Sequence, residues 1–341
     1  MTGSRRACHP APPVGTPLVR LLLLLPLVSS LAVAAPPSVQ KRLGRRAETL
    51  ALVDQVIDGA LPVPTAISRL RILREEPYAA QQLARGISQE IDPRRLRDLT
   101  AVLAGLETRS AEPLLAQLAG HGDSAVRMYA AQGLGRLGSK RVDVLLPLLE
   151  DKSHGVRREV ARALGASHEP RVGKTLVTQA RTEADPQTRV LMLEAVGAAG
   201  DKKQAKALES FLDDSSESTR FAAARGLCLL GAPEGFSFAK KLLASEDRLV
   251  RRQGLGLYEG LPVKQTGPAL RPLLEDKDRG LAAGAARILA QGGDKTMVSW
   301  LVLASWNANG EEKLTYEKEL ETLQLADDER KAILRAAGVA K

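Results

Sequence analysis

The chain has 341 residues, with 49 Lys and Arg against 40 Asp and Glu, a formal net charge of +9. Apolar residues make up 44 % and charged residues 26 %, a balance that suits an ordered core and excludes a disordered chain. Aromatics are only 3 %, which argues against an all-β fold, and two cysteines exclude a disulfide framework or a four-cysteine zinc site.

Arg5, Arg6 and Arg20 precede a 13-residue apolar run from Leu21 to Val33, interrupted by Pro26. A membrane-spanning helix needs about 20 apolar residues. The small residues Ala32-Val33-Ala34 follow, so residues 1–34 read as a secretory signal peptide cleaved after Ala34. The other reading is an uncleaved anchor, the only way this chain would meet a membrane. Cleavage leaves 46 basic residues against 40 acids, and Cys228 as the single cysteine. Cys228 lies in the helical stretch GLCLLG and is expected to be a small core residue.

Residues 35–92 hold apolar-periodic runs, ETLALVDQVIDG and TAISRLRILREE, broken by Pro62, Pro64 and Pro77. They predict an amino-terminal helical cap. Residues 93–293 are organised by a repeat. Segments starting at Leu96, Val126, Val156, Thr188, Thr219, Val250 and Leu281 are 30 to 32 residues apart. A fixed period in this range signals a solenoid. Within each copy the apolar positions fall at 0, 4, 5 and 8, one face of a helix. Three residues upstream stand Asp123, Ser153, Asp185, Ser216, Asp247 and Asp278, an expected N-cap column. Twelve residues downstream stand Gly138, Gly200, Gly231 and Gly293, suited to the left-handed conformation that ends a helix. Shorter apolar runs before each cap, such as EPLLAQLAG, DVLLPLLED, AKALESFLDD and GPALRPLLED, predict a first helix in every unit. One pair cannot bury its own apolar face, but seven stacked pairs bury a continuous core. Ala101, Ala131, Ala161, Ala224 and Ala286 share one column; Gly105, Gly135, Gly165 and Gly197 share another. Glycine costs about 1 kcal/mol in a helix, so its alignment points to close helix contacts. Residues 294–341 predict a closing helical cap, in which one of Trp300 and Trp306 seals the core while the other is exposed.

Arg97, Arg127, Arg157, Arg189, Arg220 and Arg251 follow the first core position. On a helical wheel they fall inside the core arc, so each guanidinium must find acceptors. The expectation is a structural ladder to the cap residues Asp123, Asp185 and Asp247 and to carbonyls of nearby turns. A nucleic-acid stripe would need these side chains on the exposed arc.

The pattern D-x-x-V-R-x-x-A-A-x-x-L-G, seen from Asp123 to Gly135, resembles the short bacterial HEAT repeat, also called the phycobilisome-lyase HEAT-like repeat. The resemblance implies an all-α, right-handed α-solenoid of armadillo type, with the second helices lining a concave face. It implies no single activity. Bilin lyases with such repeats attach a chromophore to a partner protein in a cytoplasmic setting, unlike an exported chain. Deoxyhypusine hydroxylase holds a di-iron site on several His-Glu pairs; here one pair, His168-Glu169, stands in a link. No catalytic, cofactor or metal residues are therefore assigned.

The arc opposite the core carries Met128, Gln132, Arg158, Arg162, Phe221, Arg225, Arg252 and Arg287. Arginine and large apolar residues are enriched in protein interfaces. The reading is an exported, periplasmic or extracellular, non-catalytic scaffold or adaptor binding a protein or peptide with acidic residues. Nucleic acid is not expected, because the strip lacks stacking aromatics. An enzyme accessory of the bilin-lyase kind and a purely structural spacer are the alternatives.

Overall fold

The computed structural model describes residues 37–339 apart from Ile91, and the expected leader at 1–34 lies outside them. Among the described residues the fold is helices and turns only. Three helices come first: α1 (Pro37–Ile57), α2 (Val63–Ile72) and α3 (Glu76–Gln89). The second helices of the repeat units then follow as α4 (Pro93–Gly105), α6 (Ser124–Arg136), α8 (His154–Ala166), α10 (Pro186–Ala199), α12 (Glu217–Leu230), α14 (Arg248–Gly256) and α16 (Arg279–Gln291). The first helices between them are α5 (Glu112–Leu118), α7 (Val142–Leu145), α9 (Gly173–Thr182), α11 (Ala205–Glu209), α13 (Pro233–Leu243) and α15 (Val263–Leu270). The chain closes with α17 (Thr296–Asn307), α18 (Gly310–Thr322) and α19 (Asp327–Ala336). No described helix is long and apolar enough to cross a membrane. The architecture is an all-α solenoid. Its first second helix, α4, packs on α3, so helix pairing begins upstream of residue 93.

Local chemistry explains the element ends. Asp123, Asp185, Ser216, Asp247 and Asp278 each accept a first-turn N–H at an N-cap. Such a bond supplies one of the partners that a helix start lacks, worth about 1 kcal/mol. Ser153 occupies the same position without a side-chain cap bond. Gly200 and Gly231 end α10 and α12 at φ of 82° and 75°, in the left-handed region. The first helices are less regular than their apolar period predicts. Past α7 and α15 the chain tightens into 3-10 turns, Leu146–Glu150 and Arg271–Glu275, which open on Pro147 and Pro272. A proline ring lacks the N–H and clashes with the preceding turn, which stops an α-helix.

The second helices α6, α8, α10 and α12 pack side by side, and glycine permits it. A Cβ on Gly135 would sit 3.0 Å from the Ala163 backbone, and one on Gly197 would sit 2.5 Å from Gly226 Cα. The aligned alanines Ala131, Ala161, Ala224 and Ala286 are fully buried. Two apolar cores result. One runs from Leu52 to Ala232, the other from Ala224 to Leu334, and they meet at α12. Trp300 packs edge-on against Tyr316 at 5.9 Å, while Trp306 is 49 % exposed. Cys228 is buried, and burial pushes its thiol up to about 12.

Candidate functional site

The ladder arginines sit at the start of each second helix and reach in two directions. Backwards, the guanidinium of Arg127, Arg157, Arg189 and Arg220 donates to carbonyls of the turn just before its own helix. Arg127 Nη1 reaches the His121 and Gly122 oxygens at 2.8 Å each, and Arg157 Nη1 reaches the Asp151 oxygen at 2.8 Å. Forwards, it grips a carboxylate of the next unit. Arg127 holds Asp151 through two bonds of 2.7 and 2.9 Å. Arg157 holds Glu183 through two bonds of 2.7 Å. Arg189 donates to the Glu183 carbonyl at 2.9 Å and lies 3.8 Å from Asp214. Arg251 lies 3.7 Å from Asp276 and 4.0 Å from Asp278. The two bidentate pairs, Arg127 with Asp151 and Arg157 with Glu183, are the strong ones.

Two expectations are corrected here. The acceptors are not in general the cap residues. They are mostly the acids two positions earlier, Asp151, Glu183, Asp214 and Asp276. Arg97 does bind the cap Asp123, at 2.5 and 2.9 Å. Asp185 instead serves Arg158, through bonds of 2.8 and 3.0 Å, and Asp247 caps Leu249. The reason is geometric. Each earlier acid already folds back onto the cap's own N–H, as Glu183 does to Asp185 at 2.8 Å, and so faces the preceding unit. In the unit after Arg220 this position is Ser245, and Arg220 binds the carbonyls of Asp214 and Ser215, at 2.7 and 3.1 Å, with no ion pair among the described residues. Secondly, the arginines do not point into the core. Arg157 is 17 % exposed and Arg97 is 44 % exposed, because the long stem lies along apolar surface while the head stays at the rim.

Burial pushes the Glu183 carboxyl up, but the Arg157 guanidinium and the Asp185 N–H outweigh it and hold it below the ordinary range. Asp151 behaves alike beside Arg127. Arg158 and Thr188 hold Asp185 well below that range.

Along the second helices, one turn further on, two grooves adjoin. The first, about 390 Å³, lies between α6 and α8 and is lined by Gln132, Arg136, Glu159 and Arg162 over Gly135, Ala163 and Ala166. The second, about 310 Å³, continues across α8, α10 and α12, with Arg162, Glu194 and Arg225 beside Leu191 and Leu229. Arg162 and Ala166 belong to both. The floor is glycine and alanine because the helices approach closely there, so the charged walls stand clear of it. Arg162 is held by Glu159. Arg225 donates to the Leu257 carbonyl at 3.0 Å and makes no ion pair among the described residues. Burial pushes the Glu194 carboxyl up, and Arg225 and Arg162 only partly offset it.

The other members of the expected strip behave differently. Phe221 is half-buried and packs edge-on against Phe238 at 5.9 Å, so it belongs to the core rather than to a free face. Met128 likewise packs against the core. Arg287 is 13 % exposed and is bridged to Glu259 and Glu319. Arg158 is committed to Asp185. Arg252 is exposed, beside Gly280. Gln132, Arg162 and Arg225 therefore carry the groove. Glu159 and Leu191 join it without having been singled out from the sequence. Among the described residues no cluster of three or more His, Cys, Asp or Glu could hold a metal.

Over residues 63–165, 111–185 and 173–258 the chain matches the family described as HEAT repeats. It is 37 % identical over 90 residues to the bilin biosynthesis protein RpcF of Synechococcus sp. (strain WH8020), covering 26 % of this chain and 43 % of that one. It is 29 % identical over 102 residues to the phycocyanobilin lyase subunit beta of Thermosynechococcus vestitus, covering 30 % and 48 %. The match thus spans less than half the length of these curated relatives. Among solved structures, the complex of CpcE and CpcF of phycocyanin lyase from Nostoc sp. PCC7120 aligns with a TM-score of 0.48 and 20 % identity, over 72 % of this chain and 94 % of that one. With the family match running from residue 63 to residue 258, the chain belongs to the HEAT-repeat family.

Proposed function

We propose that this protein is an exported, non-catalytic scaffold that docks a protein partner along the second-helix face of α6 to α12. The observation that carries the reading is the double groove: a glycine and alanine floor between walls formed by Arg136, Arg162 and Arg225. Glu159 pairs with Arg162 and Glu107 lies 3.8 Å from Arg136, which leaves Arg225 as the guanidinium that acidic side chains of a partner complement. Arg225 has no carboxylate of its own to leave. Arginine flanked by apolar contact area, here Leu191 and Leu229, is what protein interfaces enrich. The groove holds no aromatic platform for bases, which disfavours nucleic acid.

The test is quantitative capture. The full chain and an Arg136/Arg162/Arg225→Glu variant are each used as bait on extracts of the source compartment. Acidic partners enriched at least tenfold by the native surface over the variant support the reading, and equal recovery by both contradicts it. Export has a separate test. The amino terminus of the protein recovered outside the cytoplasm should be Ala35; a chain retained in the cytoplasm with residues 1–34 intact contradicts export.

The likeness to RpcF and to the lyase subunit supports a second reading, in which the chain is a lyase subunit or accessory. A free bilin added to the chain would then shift its absorbance on binding; an unchanged spectrum rejects this reading.

A further inference from the structure

The regular stack is interrupted once, between α12 and α14. Side-by-side packing of second helices, continuous from α4 to α12, does not extend to α14. Helix α13 stands in the way, and two glycines let it. A Cβ on Gly235 would sit 2.7 Å from the Cys228 backbone of α12, and one on Gly254 of α14 would sit 2.8 Å from Leu242 of α13. The two apolar cores divide at this place. The arginine ladder also lapses here: Arg220 forms no ion pair with the next unit, where Ser245 stands in place of the acids Asp151, Glu183, Asp214 and Asp276.

Between α13 and α15 lies a cavity of about 700 Å³. Pro268 inside α15 and Pro272 at the following 3-10 turn line one wall of it. Phe236 and Tyr258, with ring centres 5.9 Å apart, line it together with Leu243 and Leu273. The polar groups gather at the rim. Ser237 and Lys240 lie one helical turn apart on α13, and Gln265 stands on α15. No Asp or Glu lines the cavity, Lys240 is its one formal charge, and Lys240 makes no ion pair among the described residues. An apolar chamber of a few hundred Å³ with a small set of convergent polar groups is the ordinary form of a small-molecule site.

We infer that this cavity binds an apolar monocarboxylate, a fatty-acid-like molecule. Its chain lies against Phe236, Tyr258, Leu243 and Leu273, and its carboxylate meets Lys240 with Ser237 and Gln265 as further donors. The sign of the rim selects an anion over a cation of the same length, and the absence of any acid removes competition for Lys240. The site is independent of the second-helix groove and does not depend on what binds there.

Calorimetric titration of the full chain with sodium dodecanoate, kept below its micelle concentration, tests the assignment. Saturable binding at one site is expected, with the negative heat-capacity change of apolar burial. Lys240→Glu should weaken it at least tenfold, and Ser237→Trp, which fills the mouth, should abolish it. Both positions are exposed, so wild-type melting temperatures are expected and are measured alongside. Arg162→Glu, in the other groove, should leave dodecanoate binding unchanged. No saturable binding, equal binding by dodecyltrimethylammonium, unweakened binding by Lys240→Glu, or loss of binding in Arg162→Glu would each overturn the inference.

Discussion

Replacing Arg157 by alanine removes four hydrogen bonds at once: two to the Glu183 carboxylate and one each to the Asp151 and Lys152 carbonyls. Glu183 is 4 % exposed and would keep only the Asp185 N–H as a partner. Bonds to a charged group contribute about 1.5–3 kcal/mol, and an uncompensated buried charge costs about 3–5 kcal/mol. Because the pair lies at the rim, where water can reach the vacated space, about 2–3 kcal/mol is expected for Arg157→Ala. Urea unfolding followed by circular dichroism measures it. Since repeat proteins need not unfold as one unit, hydrogen exchange of α8 and α10 should be recorded in parallel. Arg220→Ala, which loses only bonds to neutral carbonyls, should cost about 1 kcal/mol. Adding Glu183→Gln to Arg157→Ala should restore part of the loss, because it removes the stranded charge. A cost below about 0.5 kcal/mol for Arg157→Ala, within the range of an ordinary surface change, would refute the ladder's structural role.

Glycine substitutions should split by position. Gly197→Ala forces a methyl group against Gly226 and should destabilise by about 1–3 kcal/mol, whereas Gly44→Ala, in open space on α1, should stabilise by about 0.5–1 kcal/mol; thermal melts distinguish the two. The depressed carboxyls of Asp123, Asp151, Glu183, Asp278 and Glu317 favour the ionised folded state. Their contribution is complete above the ordinary carboxyl range near pH 4 and is lost as pH falls through the lower folded values. The melting temperature should therefore be nearly flat from about pH 7 to about pH 5 and decline below about pH 4. Glu194, whose carboxyl is pushed up, contributes a small change of opposite sign. Cys228, buried with its thiol at about 12, should resist alkylation in the folded chain and react after unfolding, as peptide mass mapping reads directly.

Much of this architecture is legible in the sequence because it is local. The Asp and Ser caps, the glycines that end α10 and α12, and the small-residue columns obey rules that act within a few residues of the chain. The acceptor of each arginine is not local. Glu183 and Asp185 are two residues apart and chemically alike, and only the way the turn folds back on its own amide decides that Arg157 takes one and Arg158 the other. The wheel that places the arginines in the core arc treats side chains as short spokes, whereas an arginine stem bends along the helix rim. Phe221 reads as exposed because Phe238, which covers it, comes from the next unit. The interruption at α13 leaves only a faint trace in the sequence: Ser245 stands where Asp151, Glu183, Asp214 and Asp276 stand in other units, but His121 also breaks that column without any break in the stack.

The proposed function places a partner on the second-helix face. Photo-crosslinking in the native host, with the reactive residue placed in turn at Gln132, Leu191, Ile72 and Leu314, tests that most directly. Ile72 and Leu314 are exposed apolar controls away from the groove. A defined adduct to one protein from Gln132 and Leu191, but not from Ile72 or Leu314, is the result expected. Adducts from the controls with none from Gln132 and Leu191 would contradict the placement of the partner.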